Sequence, residues 1–200
     1  AFDNGVDAVS HLEAHAASPH AVHLIVTDLR LPRGSGADVI DNLLSGNLAA
    51  GVYIASAGTT ILGNFIGVDV VGLNPMPNGR GGVVSGFAST GTVIGDGSIA
   101  GRNVIGGNLD EGGITLGSAT ELGTTVRGNY VGVGADGTTP VGNRRGMWVV
   151  SGGATNIAIG GNNASDRNVI AHNTDEGVRL EFGTGVRMVG NSIFDNGGPG

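Results

Sequence analysis

The chain repeats itself at an offset of 65 residues, and this constrains its fold more than any other feature. GNFIGV at 63–68 returns as GNYVGV at 128–133, Pro75 returns as Pro140, and Asn78 as Asn143. GRNVIGGN at 101–108 returns as DRNVIAHN at 166–173, and each is followed by an acidic pair, Asp110-Glu111 and Asp175-Glu176. Inside this series lies a shorter motif, Asn-x-(Leu/Val/Ile)-x-x-Asn, spelled four times. It occurs at Asn42–Asn47, Asn103–Asn108, Asn168–Asn173 and Asn191–Asn196. A unit that recurs in this way cannot bury its apolar side alone and must stack on its neighbours, which predicts a solenoid.

Gly accounts for 40 of the 200 residues, yet 40% of the chain is apolar and Pro is only 6. That apolar load separates the chain from disordered Gly-rich sequences, so glycine reads as turn punctuation between short strands. From Asn42 onward, pieces such as VYIAS, TILGNFIGV, GITLG, MWVV and NIAIG are rich in β-branched residues and divided by Gly or Asn. Asn42 to Asn64, Asn103 to Asn129 and Asn168 to Asn191 fall about one turn of a parallel β-helix apart, so the 65-residue unit is expected to hold three coils. The motif residues Asn42, Asn47, Asn103, Asn108, Asn168, Asn173, Asn191 and Asn196 are expected at corners. Asn tolerates left-handed backbone there, and its amide can bond the backbone and the Asn of the next coil.

Charge excludes some functions. All ten basic residues are Arg, and 17 acids bring the net charge to −7, which argues against a nucleic-acid partner. There is no Cys, so neither disulfides nor thiolate metal sites are available. No apolar run approaches the roughly 20 residues of a membrane span. The chain opens at Ala1 without a signal-peptide pattern and closes just after a motif, so both ends read as cut from a longer protein.

Residues 1–41 differ from the rest, holding only three Gly and four of the five His. Val6, Val9, Leu12 and Ala16 have helical spacing, VHLIVT (22–27) reads as a buried strand, LRLPRGSG (29–36) as a loop, and GADVIDNLL (36–44) as the start of a second helix. The order NGVDAVSHL, LIVTDLRLP and Gly36 resembles the middle of a bacterial response-regulator receiver domain. By that resemblance Asp28 is a phosphoacceptor and Pro32 shapes its loop. The Mg²⁺-holding acids of such a domain would precede Ala1, and its Lys is absent, so phosphoryl charge would not be neutralised and no autonomous phosphorelay is expected. A solvated strand-end carboxylate is the simpler reading of Asp28. His11 and His15 share a helix face at i,i+4, but HLEAH does not place Glu13 as a metalloprotease would.

Residues 42–200 resemble the right-handed parallel β-helix repeats of large secreted or surface proteins of bacteria, which share the pectin-lyase-like fold. GNFIGVDVVG (63–72), GNYVGVGADG (128–137), the four Asn motifs and GNSIFDNGGPG (190–200) carry this match. The expected architecture is therefore all-β: a right-handed parallel β-helix solenoid of about seven coils, with a short N-terminal α/β appendage over 1–41. The resemblance implies an extracellular or cell-surface setting and a non-catalytic, structural or adhesin-like role in contact with polysaccharide or cell-surface components. A fragment of a polysaccharide lyase or hydrolase with its active coils elsewhere is the alternative, and a remnant of a phosphorelay receiver a third.

Chemistry is sparse. The acidic pairs, three coils apart on this reckoning, would lie roughly 14 Å from each other, beyond the roughly 5–9.5 Å of paired glycosidase carboxylates. GVGADG (132–137) satisfies G-x-G-x-x-G but no helix follows. Asn163-Ala164-Ser165 is a formal sequon. Trp148 reads as a core or corner residue, and Arg144-Arg145 beside it as a small cationic spot open to an acidic glycan. No catalytic residue, metal ligand or cofactor is assigned.

Overall fold

The run TILGNFIGV does not form one strand. It breaks at Gly63-Asn64, where Gly63 takes a left-handed backbone (φ +68°) and turns the chain from Thr60–Leu62 into Phe65–Ile66. Breaks of this kind, repeated through the chain, make eighteen short strands among the described residues, numbered here in chain order. The computed structural model describes residues 29–30 (backbone only), 36–86, 89–117, 122–150, 154–182 and 184–198.

Every strand pairs in parallel with the strand three places on, which produces three sheets. The first holds β1 (Leu29–Arg30), β4 (Ala50–Ile54), β7 (Gly81–Ser85), β10 (Gly112–Leu116), β13 (Met147–Val149) and β16 (Val178–Leu180). The second holds β2 (Asp38–Ile40), β5 (Thr60–Leu62), β8 (Val93–Ile94), β11 (Thr125–Val126), β14 (Ala158–Gly160) and β17 (Arg187–Val189). The third holds β3 (Leu43–Leu44), β6 (Phe65–Ile66), β9 (Val104–Ile105), β12 (Tyr130–Val131), β15 (Val169–Ala171) and β18 (Ser192–Phe194). One strand from each sheet completes a coil, and coils stacked in register form a parallel β-helix.

Alternation along each strand points one residue inward and the next outward. Ile66, Ile105, Val131 and Ile170 therefore stack directly over one another on the inner side of the third sheet, all fully buried. Ile61, Ile94, Val126 and Ile159 do the same on the second. Burying a side chain of this size stabilises the fold by roughly 1.5–3 kcal/mol, and the core is continuous from Val39 to Ile170.

Three expectations change. The described residues contain six coils rather than about seven, because coils differ in length. Successive corner asparagines are 22, 39, 26, 39 and 23 residues apart, so the 65-residue repeat is two coils, one long and one short. Residues 36–44 do not start a helix. Val39 and Leu44 are buried while Ile40 is 45% exposed, and Asp38–Ile40 pairs with Thr60–Leu62. Within the expected loop 29–36, Leu29–Arg30 lies beside Val52 and Tyr53 as a strand of the first sheet. The expected helix at 6–16, the strand at 22–27, the histidines of that segment and Asp28 lie outside the described residues.

The longer coils carry outward excursions. After β6 and again after β12 the chain leaves the coil as a narrow strap, closed by the antiparallel bridges Val68↔Pro75 and Val133↔Pro140. The straps stack on each other through a hydrogen bond from Ala135 N to Gly72 O (2.9 Å). They cover a second apolar cluster, Val68, Val104 and Val141 with Phe65 and Tyr130, on the outer side of the third sheet.

Candidate functional site

The most ordered polar features of the molecule are two columns of asparagine, one at each end of the third-sheet strands. In the first, the side-chain amide of each residue donates to Oδ1 of the next through Asn42, Asn64, Asn103, Asn129, Asn168 and Asn191, at 2.8–3.1 Å. In the second, the same bond runs through Asn47, Asn78, Asn108, Asn143, Asn173 and Asn196, at 2.8–3.0 Å. At nine of the ten steps the acceptor Oδ1 also receives the backbone N–H of the preceding Asn, as when Asn64 N donates to Asn103 Oδ1 at 3.0 Å. The second amide hydrogen goes to main-chain carbonyls, for Asn103 that of Ile61 at 2.8 Å. Polar groups that a corner would bury unpaired are thus satisfied by one residue type.

All eight motif asparagines lie in these columns. Four further members, Asn64, Asn78, Asn129 and Asn143, fall outside the six-residue motif because a strap separates the two corners of their coils. Their signal in the sequence was the equivalence of Asn64 with Asn129 and of Asn78 with Asn143 at 65 residues.

Charged residues form another column just past the second asparagine corner. Arg80 pairs with Glu111 (2.9 Å), Arg144 with Asp175 (3.1 Å) and Arg145 with Glu176 (3.2 Å). Arg179 pairs with Glu176 (3.2 Å) and with Glu181. The Glu176 carboxyl is held below its usual range chiefly by a backbone hydrogen bond, then by Arg179 and Arg145, against the opposing effect of burial. Arg144-Arg145 is therefore a neutralised element of an ion-pair column, and not a free cationic spot. Asp110-Glu111 and Asp175-Glu176 are two coils apart, about 10 Å at the strand spacing, with the arginine pair between them. Trp148 is neither core nor corner: it points outward from β13, half-buried, with the guanidinium groups of Arg145 and Arg179 at 4.9 and 5.8 Å from its ring.

The strap turns are each pinned by one carboxylate. Asp69 accepts from Leu73 N (3.0 Å), Asn74 N (3.2 Å) and Asn74 Nδ2 (2.7 Å). Partial burial raises its pKa, and the sum of these hydrogen bonds outweighs that and lowers it. Asp136 accepts from Thr139 Oγ1 (2.7 Å), Thr139 N (2.8 Å) and Thr138 N (2.9 Å), which together hold it well below the usual carboxylate range. GVGADG is thus strap and turn, with no helix after it. Arg102 stacks on Tyr130 at 4.2 Å and bonds its hydroxyl at 3.0 Å. The sequon residues Asn163, Ala164 and Ser165 are exposed at a corner, around a 3-10 turn whose carboxylate Asp166 accepts from Asn163. Among the described residues no group of three or more His, Asp or Glu is placed to hold a metal ion, and no helix is long and apolar enough to cross a membrane.

The chain matches no protein-family model, no curated protein and no solved structure. Architecture and site geometry are what bear on function.

Proposed function

We propose that this chain is a non-catalytic β-helix segment of a secreted or cell-surface protein, of the right-handed, pectin-lyase-like kind, acting as a stalk or adhesin-like scaffold. One observation supports this reading above the others: the asparagine columns and the ion-pair column are directed from coil to coil along the axis. Polar side chains that could have converged on a ligand are engaged in holding consecutive coils together. Such a segment sets distance and presents its outer faces, where polysaccharide or other cell-surface components would be met.

Protease treatment of intact cells of the source organism, followed by peptide mass spectrometry, tests the setting. Peptides of this chain should be released before cytoplasmic markers, and their retention until lysis would sink the surface reading. Incubating the complete protein with acidic polysaccharides tests the role, since release of reducing or unsaturated ends would make it an enzyme instead.

A further inference from the structure

A solenoid of similar coils must select which coil stacks on which. Its inner residues offer little selectivity, since Ile66, Ile105, Val131 and Ile170 are nearly interchangeable. The asparagine columns offer none, because the same residue stands at every step. The charged column differs. The registers Gly81↔Gly112, Ile114↔Met147 and Met147↔Val178 place Arg80, Glu111, Arg144 and Asp175 on one line, with alternating sign. The signs alternate with the two-coil repeat, and the 65-residue counterparts of Arg80 and Glu111, Arg145 and Glu176, form a second ion pair one position further along the chain.

We infer that this alternating column is a register device that rejects stackings in which one coil is left out. If β10–β12 looped out and β13 stacked on β7, Arg80 would face Arg144. If β13–β15 looped out, Glu111 would face Asp175. Glu111 is only 23% exposed at its place on this line, so it could not swing fully into water away from a like charge placed opposite it. Leaving out two coils would restore opposite signs, and the column does not forbid that error. Discrimination thus comes from repulsion in the wrong register rather than from the strength of the surface ion pairs, which is small.

The absence of Cys allows a clean test. Val93 and Ala158 both pair with Thr125, on opposite sides, and so stand two strands or about 10 Å apart, too far for a disulfide. Looping out β11 would make them neighbours. The full chain carrying Val93→Cys and Ala158→Cys is refolded from urea under oxidising conditions at high dilution, and intramolecular crosslinking is read by mass spectrometry. A second pair, Val93→Cys with Thr125→Cys, reports the native register. With the natural column, the skip probe should stay at background and the native probe should close. Arg144→Glu with Arg145→Glu should raise the skip-to-native ratio several-fold at low salt, and less at high salt. Adding Arg80→Glu, Glu111→Arg, Asp175→Arg and Glu176→Arg, which restores alternation with opposite sign, should return the ratio to background. If the double variant closes neither probe, recovery of native closure by full inversion still supports the inference. An unchanged ratio in the double variant, or no recovery on full inversion, would overturn it.

Discussion

Asn103 donates its side-chain amide to Oδ1 of Asn129 at 2.8 Å and to the Ile61 carbonyl at 2.8 Å, while its own Oδ1 accepts from Asn64 at 3.0 Å. It is fully buried, and each partner orphaned by its loss carries a penalty of roughly 1–3 kcal/mol. Asn103→Ala should therefore destabilise the fold by about 3 kcal/mol or more in urea titration, and Asn191→Ala, in the less buried last coil, by clearly less. Asn103→Asp should be worse than Asn103→Ala near neutral pH, because a carboxylate would face carbonyl oxygens. Equal effects at Asn103 and Asn191 would contradict a cooperative column.

The inner and outer faces can be compared directly. Ile105 is fully buried in the core, whereas Ile99, on a corner insert, is 83% exposed. Ile105→Ala should cost about 2–5 kcal/mol through lost burial and a residual cavity. Ile99→Ala should stay within about 0.5 kcal/mol, as measured by calorimetry.

Where the second strap leaves the third sheet, Gly132 adopts φ +86°, and an added Cβ would lie 2.0 Å from the Ala171 carbonyl oxygen. Gly46 has a similar φ of +75° but open space around it. Gly46→Ala should incur only the left-handed penalty of roughly 1–2 kcal/mol. Gly132→Ala should add a backbone clash and displace the strap, visible as loss of amide protection at Val141.

Acid should loosen the straps. Asp69 and Asp136 have pKa values lowered in the folded state, so their contribution is present above the unfolded carboxylate pKa and is lost as pH falls through the lower folded values. Hydrogen exchange at the Leu73, Asn74, Thr138 and Thr139 amides should accelerate only below the ordinary carboxylate range. Asp136→Asn should show the faster exchange of Thr138 and Thr139 at neutral pH.

The parallel β-helix was legible because its corners are punctuated by Gly-Asn pairs and its repeat is long enough to align. The number of coils was not. Spacing alone cannot distinguish an extra coil from an excursion, and GVDVVGLNP (67–75) has the Val and Gly content of a strand and turn although it folds outward as a strap. GADVIDNLL has apolar pairs at helical spacing, and only the burial of Val39 and Leu44 beside the exposed Ile40 marks it as strand. Trp148 was misplaced for a related reason: MWVV is apolar throughout, which hides the alternation that turns Met147 and Val149 inward and Trp148 outward. The ion pairs joining Arg80 to Glu111 and Arg145 to Glu176 span 31 residues each, a distance no local pattern encodes.

Strands that run across the axis leave every coil-to-coil hydrogen bond, including both asparagine columns, parallel to it. Tension applied between the two ends is carried by every coil-to-coil interface in series, so turns would peel away one at a time as each weakest interface yields. Compression along the same line meets the whole stack of side chains at once. A body built this way is stiff as a strut and compliant as a tether, and a pulling experiment should record a train of small, evenly graded force drops instead of one rupture.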